Sequence, residues 1–95
     1  MKYPIDFSIF DSPIHAYGNV TGELEFSAIP EPGAEVRLLD NLVLKVTSVS
    51  RVEGIEGQVL VGLDDVVCYS QSMAENIGRR LESDLGLFCV AYNEF

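Results

Sequence analysis

Only one segment of this chain carries a helical period, and everything before it reads as short strands cut by turn residues. Over residues 72–86 the apolar positions Met73, Ile77, Leu81 and Leu85, with Ala74 beside them, recur three and four residues apart. That spacing lines them along one helix face, with Glu75, Arg79, Glu82 and Ser83 falling outside the stripe. A lone amphipathic helix buries its stripe only against a second layer, and the remaining sequence supplies strands for it. The expected fold class is α+β: a small curved antiparallel sheet with one C-terminal helix followed by a final strand. Ser72-Met73-Ala74-Glu75 has the pattern of a capping box, and Gly86 is placed to end the helix with Leu87 packing back on its last turn. Gly78 weakens the helix by up to ~1 kcal/mol relative to alanine, which points to close packing against another element.

The strands follow from period-two alternation. Phe7 and Ile9 open one, which Asp11-Ser12-Pro13 interrupts, because proline has no N–H and restrains the residue before it. From Val20 the alternation is regular: Leu24, Phe26 and Ala28 point one way, and Glu23, Glu25 and Ser27 the other. Pro30-Glu31-Pro32-Gly33 is a turn, and Val36–Leu39 and Leu42–Val46 form a hairpin closed over Asp40-Asn41. The alternation slips after Val46, so a β-bulge near Thr47-Ser48 is expected to return Val49 to the core face. Gly54-Ile55-Glu56-Gly57 reads as a turn into a strand over Val59–Leu63. Leu87–Tyr92, apolar at nearly every position, reads as a protected final strand.

The stretch from Gly22 to Val49, with its Ile29-Pro30-Glu31-Pro32-Gly33 turn ahead of the Val36–Val46 hairpin, resembles the opening half of small SH3-like barrel domains. The resemblance implies an SH3-like partial barrel and brings no residue-level function with it.

A chain of 95 residues is one compact domain, 1–95, expected to expose roughly 5,400 Å² when folded. Its 47% hydrophobic content places it among globular proteins. Fifteen acidic against six basic residues leave a net charge of −9. The charge is spread evenly: residues 1–48 hold three basic and seven acidic side chains, net −4, and residues 49–95 three and eight, net −5. No basic stripe is present to neutralise phosphates, so nucleic acid and anionic membrane are excluded as expected partners. No apolar run approaches the ~20 residues that span a bilayer, and Pro4 and Asp6 argue against a signal peptide. Cys68 and Cys89, each in an apolar run, are expected to be buried thiols of a cytoplasmic protein.

Chemistry-bearing residues are few. His15, the one histidine, is a conceivable general base or metal ligand in the turn-like stretch Pro13–Gly18, but such roles need an orienting partner or further ligands. Asp64-Asp65 follows a predicted strand, where carboxylates can meet a divalent cation, yet adjacent extended residues point to opposite sides. Neither cysteine has a neighbouring cation or CxxC spacing to activate it. No residue set is therefore assigned as catalytic, cofactor-binding or metal-ligating, and no cofactor is expected. Several aromatic rings, those of Phe7, Phe10, Phe26 and Phe95, adjoin aspartate or glutamate instead of a basic residue, which suits a core or a protein-facing surface better than an RNA-binding one. Tyr3, Tyr17, Glu23, Glu25 and Tyr92 are the interface candidates. The expected function is non-catalytic protein binding, as a small acidic inhibitor, immunity-type or adaptor protein facing a basic partner. A self-associating assembly subunit, a homo-oligomer, is the alternative; a small enzyme or ligand-binding protein using His15 is a third.

Overall fold

The computed structural model describes residues 1–51 and 59–92. Along them run β1 (Lys2–Ser12), β2 (His15–Glu25), β3 (Glu35–Leu39), β4 (Leu42–Arg51), β5 (Val59–Leu63), β6 (Val66–Val67), the helix α1 (Gln71–Leu85) and β7 (Phe88–Ala91). The strands form one sheet in the order β3-β4-β5-β1-β2-β7, with β6 continuing along β1 beyond β5. The result is a small α+β fold, a half-barrel sheet with one C-terminal helix and a final strand. The turn expected over Gly54–Gly57 lies outside the described residues.

β1 and β2 form a long antiparallel hairpin with Lys2 across from Glu25 and Ser12 across from His15. β1 starts earlier than expected, because Pro4 stands near the strand's beginning, where a residue without an N–H is tolerated. β2 also starts earlier: His15 is its first residue and not part of a loop. The sequence obscures this start because the hairpin tip carries Ile14, an apolar side chain that is 94% exposed. Irregular register at Phe10 adds local twist to that end of the hairpin.

The sheet is largely antiparallel, as expected, and β1 adds parallel pairings that make it mixed. β1 runs parallel to β5 through Ile5–Val61 and Asp6–Gly62, and parallel to β6 through Ile9–Val66 and Phe10–Val67. Parallel neighbours need a crossover, and the excursion through the β3–β4 hairpin provides it. That hairpin closes over Asp40-Asn41, with Leu39 paired to Leu42. The β4–β5 register shifts between Val46 and Ser48, which is the bulge that the slipped alternation predicts, and Val49 packs against the core.

One face of the sheet is apolar. Ile5, Ile9, Val20 and Val61 on that face and Leu81 from the helix are fully buried. Each such side chain contributes about 1.5–3 kcal/mol relative to an exposed one. α1 lies against β1, β2 and β7 and reaches β3. Its N-cap is Ser70, whose hydroxyl accepts the Met73 N–H at 3.2 Å. The helix thus begins before the expected Ser72 capping box, and Ser72 lies within its first turn. Gly86 ends it in the left-handed conformation, φ 69°, with Leu87 N–H bonded back to the Leu81 carbonyl. The buried helix face is Ala74, Gly78 and Leu81, rotated away from Met73, which is exposed. Gly78 is required by close approach: a Cβ there would stand 2.9 Å from Cys89 Sγ.

Among the described residues β7 is the last strand of the sheet, with β2 as its neighbour, and its face away from the helix is exposed. Phe88 is 65% and Val90 49% exposed, which corrects the expectation of a final strand protected on both faces. Among the described residues no helix is long and apolar enough to cross a membrane.

Candidate functional site

The alternation that buries Val20 and half-buries Leu24 sends Glu23 and Glu25 to the sheet face opposite the helix, where both are exposed. Register places Glu23 across from Pro4 and Glu25 across from Lys2, and it adds Asp6, across from Thr21, to the same face. Asp6 accepts a hydrogen bond from Asn19 Nδ2 at 2.9 Å, which fixes its carboxylate on the surface. The Met1 ammonium donates to Glu25 Oε1 at 2.7 Å and holds that carboxyl below its ordinary range, with a smaller contribution from Lys2. The two glutamates are therefore not equivalent: Glu25 is partly neutralised by its neighbour. Asp6 belongs with them, and the pairing register, invisible in the linear sequence, is what reveals it.

Tyr3 is not available to a partner. It is 4% exposed, its ring lies 6.0 Å from that of Phe26, and its hydroxyl donates to Met1 Sδ. The strand phase that buries Ile5 and Phe7 buries Tyr3 too, and starting β1 at Lys2 brings it into that phase. Tyr17 is half-buried and Tyr92 exposed, and the two are joined by a Tyr92 N–H to Tyr17 carbonyl bond of 2.9 Å. With Asp11, His15 and Ala16 they line a hollow of about 240 Å³ at the tip end of the hairpin. The Tyr92 hydroxyl lies 3.4 Å from Ser8 Oγ.

In this hollow His15 gains the orienting group that the sequence did not reveal, since Nδ1 lies 2.8 Å from Asp11 Oδ1. With the proton on Nδ1, Asp11 accepts it and Nε2 is left as an acceptor. The imidazole is 70% exposed, so solvent competes for any substrate proton it would take. Among the described residues no group of three His, Cys, Asp or Glu side chains is arranged to hold a metal ion. Asp64 and Asp65 have structural work at the break between β5 and β6. The Asp64 N–H donates to the Lys45 carbonyl, and the Asp65 carboxylate accepts the Ser8 N–H at 3.0 Å. Cys68 is buried, and burial pushes its thiol pKa above the ordinary value, with the charge of Asp11 adding to the effect. Cys89 is half-buried, and no disulfide joins the two.

A second hollow, about 310 Å³, runs between α1 and the β2–β7 edge, lined by Glu75, Arg79 and Glu82 from the helix and by Cys89 and Ala91 from β7. Nothing in the linear sequence links residues 75–82 to residues 89–91. The only hint is Gly78, which marks where the helix comes close to another element.

Comparison with protein-family models, curated proteins and solved structures gives no match to this chain.

Proposed function

We propose that this protein is a non-catalytic binding domain that offers the uncovered face of its sheet to a basic protein partner, as an inhibitor, immunity-type or adaptor protein does. The observation that supports this reading is the grouping of Glu23 and Asp6 with Glu25, itself partly neutralised by Met1, on one helix-free sheet face of a chain with net charge −9. Carboxylates held on paired strands present a fixed negative field, which speeds and selects the approach of a positive surface. The test is capture of partners with the tagged protein from a lysate of its source, followed by binding kinetics with purified components. Affinity is expected to fall steeply with salt, and Glu23→Lys with Glu25→Lys to slow association by about tenfold or more. Unchanged kinetics in the double variant would overturn the reading.

Self-association is the second reading, favoured by the exposed Phe88 and Val90 on β7. A strand at the end of a sheet with exposed apolar side chains can serve as a template for a further strand. On that reading, assembly persists in high salt and is lost when Tyr92 is truncated to alanine.

A further inference from the structure

Pairing register lays out the sheet face away from the helix as rows that cross β1, β2 and β7. Asp6 stands opposite Thr21, and Thr21 opposite Phe88; one row on, Ser8 stands opposite Asn19, and Asn19 opposite Val90. Residues directly opposite on antiparallel strands share a face, so β1 and β7 flank a strip floored by Asn19 and Thr21. Strand spacing sets the two flanks about 10 Å apart. The β1 flank is polar, with the Asp6 carboxylate bonded to Asn19 Nδ2 at 2.9 Å. The β7 flank is apolar, with Phe88 65% and Val90 49% exposed. Tyr92 bounds one end, its hydroxyl 3.4 Å from Ser8 Oγ on the far flank. Glu23, two residues beyond Thr21, stands at the other end and is exposed.

We infer that this strip seats an amphipathic helix of the partner protein, lying along β2, with lysine or arginine over Asp6 and Glu23 and apolar side chains over Phe88 and Val90. An α-helix with its side chains is about 10–12 Å wide, which matches the separation of the flanks. Such a helix is read through anchors three and four residues apart. The inference rests on the proposed function and gives the basic partner a secondary structure and an order of side chains. β7 contributes to it through side chains alone. Charge complementarity selects this occupant over a second copy of the chain. α1, the one helix among the described residues, interleaves Arg79 and Arg80 with Glu75, Glu82 and Asp84 and so carries no cationic stripe, and each copy has a net charge of −9.

The probe is a fluorescein-labelled peptide of leucine and lysine, about 14 residues long, with leucines three and four residues apart so that a helix gathers them on one face. A second peptide has the same composition in an order that scatters the leucines around the helix. Binding to the intact protein is read by fluorescence anisotropy and mapped by amide chemical shifts. Saturable binding of the first peptide is expected, with shifts over residues 19–23 and 88–90, and the shuffled peptide should bind about tenfold more weakly. Phe88→Ser and Val90→Ser, both at exposed positions, should each weaken the first peptide by about fivefold. Asp6→Asn with Glu23→Gln should weaken it by about tenfold, whereas Glu31→Gln with Glu35→Gln, equal in net charge but remote from the strip, should change it by less than about twofold. Equal binding of the two peptides, or no effect of Phe88→Ser and Val90→Ser, would overturn the inference; an effect of the Asp6 and Glu23 variant alone would then leave the acidic-face reading standing. If that variant acts no more than its remote control, both fall. No binding of the first peptide would also overturn the inference, and dimers in sedimentation that Phe88→Lys disperses would then point to a second copy.

Discussion

Gly78 shows how a residue that looks like a defect in the sequence becomes a packing requirement in the fold. Alanine at this position gains about 1 kcal/mol of helix propensity. It also places a methyl 2.9 Å from Cys89 Sγ, a separation that forces something to move. Gly78→Ala is therefore expected to be neutral or destabilising by about 1 kcal/mol, and Cys89→Ala in the same chain to turn it into a stabilising change. A double-mutant cycle by urea denaturation checks this, and simple additivity would show that helix and strand do not meet as described. The blemish itself was legible from the helical period; its partner was not, because a contact across the helix–sheet interface leaves no mark on local spacing. Tyr3 is the opposite case. It was expected at an interface, yet the phase set by Ile5, Phe7 and Ile9 carries it into the core. His15 and Asp11 likewise stand on two strands joined by a tip at Ile14, and only the hairpin register makes them neighbours.

At the scale of elements, the helix start separates two readings of the same serines. Ser70 caps through the Met73 N–H, while Ser72 lies inside the first turn. Ser70→Ala should cost about 1 kcal/mol and Ser72→Ala no more than a few tenths, measured by thermal or urea unfolding. The reverse order would restore the capping-box reading. Elements with a strong local period were legible: the helix, the β3–β4 hairpin over Asp40-Asn41, and the bulge between Val46 and Ser48. What the period could not show was which strands would be neighbours. The parallel pairing of β1 with β5 and β6 depends on where a crossover lands. The apolar run of β7 suggested burial on both faces, but Thr21 and Asn19, its partners across the ladder, belong to the wet face. The candidate site suffered most from this limit, since the acidic face and the strip between β1 and β7 are both products of strand order.

The molecule as a whole exposes 6090 Å², more than the roughly 5,400 Å² typical of its mass. The helix covers one face of the sheet, and the exposed Glu23 and Glu25 stand on the other. Fifteen acidic against six basic residues on so small a body repel one another. Raising sodium chloride from low to about 0.5 M should therefore increase the melting temperature by about 3–5 °C, because screening relieves repulsion more than it weakens the few surface ion pairs. A fall in melting temperature by calorimetry would mean that attractive pairs dominate instead. The break at Asp64-Asp65 has a further consequence, one of time and not of charge. β1 sits mid-sheet, yet the strands on its far side, β5 and β6, come from beyond the middle of the chain. The β1–β2 hairpin closes across a tip of two residues and can zip early, whereas the second flank of β1 must wait for Val61 and Val66 to arrive from a distance. Folding is then paced by that late arrival, in the millisecond-to-second range of domains dominated by non-local pairing. The Asp65 carboxylate closing on the Ser8 amide is among the last bonds to form.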